Sequence, residues 1–136
     1  MHNIRIIAIL WLVLLISCSS PTIEKQKTIG GDEREELQSF CSTKDGGFII
    51  GGFSYSQKSG EKTTYNNGIF YCDFWIIKFN KKGEIQWQKS LGGTNLEFLK
   101  SIAITYDGGY IIAGESASDS SGNKSENSIG GSADIC

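Results

Sequence analysis

Histidine is nearly absent from this chain of 136 residues: the only one is His2. Beyond that position no Ser-His-Asp or Cys-His pair and no His-ligated zinc can be assembled, and the commonest general base is missing. Proline is as scarce, with Pro21 alone. No apolar run approaches the ~20 residues of a membrane-spanning helix. Basic character is lacking too. Against 15 Asp and Glu stand 13 Lys and Arg, a net charge of −2, with no Lys/Arg stripe interleaved with aromatics, so a nucleic-acid partner is not expected. After residue 20 no stretch holds a 3.6-residue period through the glycines, which excludes a helical fold.

The first residues have the layout of an export signal. Met1 to Arg5 is a short head with one positive charge, Ile6 to Ile16 is apolar, and small residues follow at Ser17, Ser19 and Ser20. Leu15-Ile16-Ser17-Cys18 resembles a lipobox, the site of the lipoprotein signal peptidase. That resemblance implies cleavage between Ser17 and Cys18, a diacylglycerol thioether on Cys18 and acylation of the new amino group. Each buried CH₂ would contribute about 0.8 kcal/mol of anchoring. Residues 1–17 are therefore expected to be a lipoprotein signal peptide and 18–28 a lipidated tether, polar and without periodicity. Arg5 is the only charged residue before Cys18, so the mature chain of 136 − 17 = 119 residues carries 12 basic and 15 acidic groups. Ser19 after the cysteine resembles the outer-membrane-directed case. The expected location is the bacterial cell envelope, at the outer membrane or cell surface rather than the inner membrane.

An internal repeat organises the rest. Asp45-Gly46-Gly47-Phe48-Ile49-Ile50 recurs as Asp107-Gly108-Gly109-Tyr110-Ile111-Ile112, an offset of 107 − 45 = 62. At that offset Glu35, Leu37, Ser39, Thr43, Gly52, Ser54 and Ser56 meet identical partners in Glu97, Leu99, Ser101, Thr105, Gly114, Ser116 and Ser118. One deletion later, Asp73-Phe74-Trp75 aligns with Asp134-Ile135-Cys136. The first repeat spans 29–90 and the second 91–136, where the sequence stops partway through its copy.

Each repeat reads as a run of strands. Leu37 to Lys44 and Phe48 to Ser54 flank an Asp45-Gly46 hairpin, which calls for a type I′ turn, and Asp107-Gly108 predicts the same turn. A long Ser/Gly/Asn-rich loop from about Tyr55 to Tyr71 leads to a third strand, Phe74 to Phe79, apolar on both faces. Gly83 suits a left-handed bulge position. The fourth strand, Glu84 to Ser90, alternates, with Ile85, Trp87 and Leu91 expected on one face. Phe48, Ile50, Trp75, Ile77 and Trp87 are expected to pack in part against Ile102, Ile104, Tyr110 and Ile112 of the second repeat. Trp75 and Trp87 read as packing residues rather than sugar platforms.

Asp107 to Gly114, Asp73 to Lys78 and Gly83 to Gly93 resemble the Gly-rich repeats of large secreted bacterial propeller-like proteins. The resemblance covers Ile29 to Cys136. It implies an all-β fold, an incomplete β-propeller-like array of antiparallel four-stranded meanders. About one and two-thirds blades are present, where a closed propeller needs roughly 4–8. It implies an extracellular setting and little chemistry.

Candidate sites are few. Cys41 and Cys72 form a candidate disulfide, since export favours oxidation and both align with alanines, Ala103 and Ala133. Spacing opposes it: with one strand between them they stand about 9.6 Å apart, and a bridge needs under about 7 Å. Asp119, Asn123, Glu126 and Asn127 offer oxygens to calcium but match no known calcium spacing and read as a solvated loop. Asp32, Glu33, Glu35 and Glu36 around Arg34 read as a surface charge run, not a glycosidase pair. Neither a cofactor nor a metal is expected. The function expected is a binding or scaffold module at the cell surface, without catalysis, held to the membrane by lipid and prone to self-association through open strand edges. An unidentified protein or glycan would be its ligand. The alternative is the remnant of a longer secreted repeat protein. An enzyme of the propeller class acting on glycans is the third reading.

Overall fold

The computed structural model describes residues 25–130 and 133–136. Ser17, Cys18 and the expected signal peptide lie outside the described residues. Within them the chain is all-β, without a helix: β1 (Glu35–Ser42), β2 (Phe48–Ser54), β3 (Asp73–Phe79), β4 (Ile85–Leu91), β5 (Glu97–Ile104), β6 (Tyr110–Ser116) and β7 (Asp134–Ile135). They form two open antiparallel sheets, β1-β2-β3-β4 and β5-β6-β7.

The repeat is present in the backbone register. Glu35 faces Ser54 and the ladder slips between Leu37 and Ser39. At the same offset of 62, Glu97 faces Ser116 and the slip falls between Leu99 and Ser101. Asp73 faces Ser54 just as Asp134 faces Ser116. Each bulge adds one residue to the first strand of its repeat and so sets which side chains face inward beyond it.

Strand β3 is buried along its whole length, as its two-faced apolar sequence requires. Alternation sends Trp75, Ile77 and Phe79 to one face, where they pack with Ile29, Phe48, Ile50 and Ile85. Phe74 and Ile76 go to the other, where with Ile49 they meet Leu99 and Ile102 of the second sheet. Each such side chain contributes about 1.5–3 kcal/mol on burial. Strand β5 lies across β1, β2 and β3, so this second cluster joins the sheets.

Three expectations are corrected. First, the Asp-Gly turns are not type I′. Among the described residues only glycines have positive φ, Gly46 at +78°, Gly83 at +74° and Gly108 at +89°. The Gly46 N–H donates to the Thr43 carbonyl and the Thr43 N–H to that of Gly47, and the pattern recurs at Thr105 and Asn80. This is a turn closed by a left-handed glycine and a bulge. Asp45 is held by Thr43, Gly47 and Lys78, and a left-handed L-residue would cost roughly 1–2 kcal/mol, so the glycine takes that conformation. Second, Ile85 and Trp87 lie on opposite faces. Lys78 faces Trp87 and Phe79 faces Ile85, leaving Gln86 as an extra residue. The bulge brings Gln86 Oε1 to the buried Lys78 ammonium at 2.9 Å. Third, only Trp87 of the five residues expected at the sheet junction is there, packed edge-on to Tyr110. Phe48, Ile50, Trp75 and Ile77 occupy the opposite face, and Leu99, not Ile104, joins Ile102 in the contact. Cys41 and Cys72, the candidate disulfide that strand spacing opposed, are both free thiols. Cys41 faces Ile49, whose partner on β3 is Lys78, six residues from Cys72. Each thiol instead donates to a carbonyl, Cys41 to Ile102 at 3.0 Å and Cys72 to Glu97 at 3.2 Å.

Candidate functional site

Each repeat carries one polar frame, and its main hydrogen bonds recur in both copies. In the first, Glu35 Oε1 accepts from the hydroxyls of Ser54 and Ser56, and the Ser56 hydroxyl accepts from the Glu33 N–H. In the second, Glu97 Oε1 accepts from Ser116 and Ser118, and Ser118 accepts from the Asn95 N–H. A tight turn then brings the long loop back onto the glycine pair that opens the repeat. Glu61 N–H donates to the Gly30 carbonyl and Asn123 N–H to that of Gly92, both at 2.9 Å. Inside each loop a lysine turns inward. Lys62 donates to the Ser56 carbonyl and Asn66 Oδ1, and Lys124 to the Ser118 carbonyl. Burial lowers the Lys62 ammonium to about 8, opposed by the charges of Asp73 and Glu35.

The frames meet where the repeats join. Asp73 begins β3, Glu97 begins β5, and both are buried. Asp73 Oδ2 accepts from the N–H and side-chain amide of Asn67. Asp73 Oδ1 and Glu97 Oε2 have no hydrogen-bond partner. Both face Gly92: a Cβ there would stand 2.7 Å from the first and 2.6 Å from the second. Glycine is the residue that lets two carboxylates approach one backbone atom. Burial raises the Asp73 carboxyl to about 6, with the Glu97 charge adding to the rise and the Asn67 N–H and Lys62 opposing it.

Above this frame the two loops differ. Residues 55–72 contain Tyr55, Tyr65, Phe70 and Tyr71; residues 117–133 contain no aromatic. Tyr65, Ile69, Phe70 and Tyr71 are exposed. Ile69 and Phe70 join Asp32, Glu33, Tyr55 and Gln57 around a cleft of about 340 Å³. Gln57 braces it, donating to the Gly68 carbonyl and accepting from the Asn66 N–H. Contiguous exposed apolar surface rimmed by polar groups is the usual mark of a binding site. A second cleft of about 370 Å³ opens between the sheets, lined in part by Phe74, Leu91, Glu97, Asn123 and Ile135.

The residues singled out from sequence fall in different places. Asp32 and Glu33 reach the aromatic cleft, while Glu36 pairs with Arg34 at 2.6 Å. Glu35 is not part of a surface charge run but turns inward to its serines. Asp119 Oδ1 and Asn127 Oδ1 accept from Ser128 and Ser120 N–H groups within their own loop, and Asn123 Oδ1 lies 3.3 Å from Asn67 Nδ2. Trp75 is buried, its indole N–H donating to Gln88. Burial pushes the Cys72 thiol up, away from the reactive thiolate form. Sequence reasoning missed the inward roles of Glu97, Lys62, Lys124 and Asp73, although Ser59-Gly60-x-Lys62 and Ser121-Gly122-x-Lys124 repeat at the same offset. No protein-family model matches the chain, and no curated protein matches it significantly.

Proposed function

We propose that this chain is a lipid-anchored protein of the bacterial cell envelope, facing outward, whose propeller-like repeats form a binding or scaffold module without catalysis. The observation that carries the binding reading is the contrast between the loops. Glutamate, serines, glycine turn and inward lysine are kept in both copies, whereas the exposed aromatics of the long loop belong to the first copy alone. A fold needs the frame twice; it does not need Tyr65, Phe70 and Tyr71 in water. Such rings supply large, rigid contact area, and loops braced on a rigid scaffold are where binding residues concentrate. A protein segment or a glycan is the ligand class that suits an aromatic cleft edged by Asp32 and Glu33.

Two experiments test this reading. Labelled full chain, screened against glycan and peptide arrays, binds a ligand that the Tyr65→Ser/Phe70→Ser/Tyr71→Ser variant does not, while its melting temperature is unchanged because those side chains are exposed. Equal binding by the variant, or release of a cleaved product, refutes it. For the anchor, Cys18→Ser accumulates unprocessed precursor and leaves the detergent phase. Normal processing and membrane retention of that variant remove the lipid from the account.

A further inference from the structure

Four large apolar side chains lie open to water on the two outer faces of the molecule: Leu37 and Phe40 on β1, Ile111 on β6 and Ile135 on β7, between 58% and 90% exposed. The repeat gives each a counterpart. The offset of 62 carries Leu37 onto Leu99, Phe40 onto Ile102 and Ile49 onto Ile111. The offset of 61 after the deletion carries Phe74 onto Ile135. Those counterparts, Leu99, Ile102, Ile49 and Phe74, are at most 7% exposed and together form the cluster between the sheets. The outer face of β1 thus repeats the surface that β5 inserts into the junction. The outer face of β6 and β7 repeats the surface of β2 and β3 that receives it.

Polar groups follow the same rule. Within the chain Ser39 Oγ accepts from the Ile102 N–H at 3.0 Å, beside the Cys41 contact with Ile102. The counterpart of Ser39 is Ser101, exposed on the outer side of β5, and that of Ile102 is Phe40. A cleft of about 240 Å³, lined by Leu37, Ile50, Trp75 and Ile77 among others, opens on the outer β1–β2 side.

We propose that a second copy of this chain docks head to tail, the β6–β7 face of one molecule against the β1–β2 face of the next, in the arrangement that already joins the two sheets. Three contacts differ: Ala103 replaces the Cys41 thiol, Glu115 and Glu36 stand where Phe53 and Phe98 meet across the sheets, and the third is at Gly51. Ala113 stands where Gly51 admits the Ile102 side chain, so the copied interface shifts and is weaker than the internal one. The interface is heterologous, because the two surfaces are different, and it propagates into a ring or an open array. This extends the self-association expected from sequence but moves it from strand edges to sheet faces. It leaves the loop-binding reading untouched, since Tyr65, Phe70 and Tyr71 lie on neither face.

The test uses the full chain in mild detergent at on the order of 100 µM, by sedimentation velocity. Wild type associates. Phe40→Lys and Ile111→Glu, both at exposed positions, each fold normally and associate at least about 10-fold more weakly, as losing one buried large side chain implies. Mixed one to one, they regain association and form at least a dimer, because Phe40 of the Ile111→Glu chain still meets Ile111 of the Phe40→Lys chain. A wild type that stays monomeric overturns the proposal. So does a mixture that stays monomeric, or a Phe40→Lys chain that associates like wild type, the result that pairing between β6 edges would give.

Discussion

Replacing Asp73 by asparagine should stabilise this protein above pH 6, although it removes a charge from a residue that accepts two hydrogen bonds. Asp73 is buried, and its carboxyl is raised from 3.8 to about 6, mainly by burial and then by Glu97. In the folded chain the proton therefore stays on to higher pH than in the unfolded chain. Between about pH 4 and 6 the unfolded state binds fewer protons, so stability falls as pH rises through that window and is flat beyond it. About two pH units correspond to about 3 kcal/mol, roughly 10 °C in melting temperature for a domain of this size. Asparagine keeps an oxygen for the Asn67 donors and turns an NH₂ toward Glu97 Oε2, which lacks a partner. The assay is thermal unfolding of both chains from pH 4 to 8. Wild type should lose stability between pH 4 and 6; Asp73→Asn should be flat there and melt higher at pH 7–8. The opposite sign comes from Asp45, Asp107 and Asp134, which turn hydrogen bonds hold below the usual carboxylate range. Their stabilisation is lost only below about pH 4, so the two windows separate. An Asp73→Asn chain that melts lower than wild type at pH 8 with the same slope would refute the reasoning.

Two further outcomes follow from the packing. A Cβ at Gly52 would overlap the Glu36 carbonyl, whereas one at Gly108 meets nothing within 4 Å; in urea titrations Gly52→Ala should therefore lose at least about 3 kcal/mol and Gly108→Ala only the roughly 1 kcal/mol of its left-handed turn. Lys62→Met leaves the Ser56 carbonyl and Asn66 Oδ1 without their buried donor, a loss of about 1–3 kcal/mol. Because the Lys62 ammonium is lowered from 10.5 to about 8, wild-type stability from this group rises with pH between those values, and melts across that range should show the rise disappear in the variant.

What the sequence discloses about this fold depends on whether a feature is local. Strand β2 is read to the residue, Phe48 to Ser54, because Asp-Gly-Gly and the polar loop bound it on either side. Trp75 is read as core because its strand is apolar on both faces. The slip at Gln86 is not legible, since nothing near it in sequence announces that a lysine eight residues earlier is buried and needs its oxygen. Nor is the parity of the sheet junction, because Ile49 and Ile50 are equally apolar and only the stacking of the second sheet decides which faces it. Lys62 is hidden by its type, as lysine is almost never fully buried unless paired. Glu35 is hidden by its neighbours, an acidic run that does lie on the surface. The joint identity of Glu35 with Glu97, Ser54 with Ser116 and Ser56 with Ser118 was nevertheless visible, and three polar identities in register are hard to attribute to solvent-facing positions.

That observation separates frame from function. Identity between two copies of a repeat reports what both must do, which is to fold and stack, and every identical polar group in the loops is accounted for by a hydrogen bond within its own copy. Glu35 and Glu97 hold serines, Ser59 and Ser121 hold the opening of each repeat, and Lys62 and Lys124 close each loop. Function is then to be sought where the copies differ at exposed positions that the frame does not use. Tyr65, Phe70 and Tyr71 meet that criterion, since they are exposed and their side chains close neither loop. Leu37 and Phe40 do not, because their counterparts are apolar and buried. The first set is therefore read as a surface for a foreign ligand, and the second as a surface for the chain's own kind.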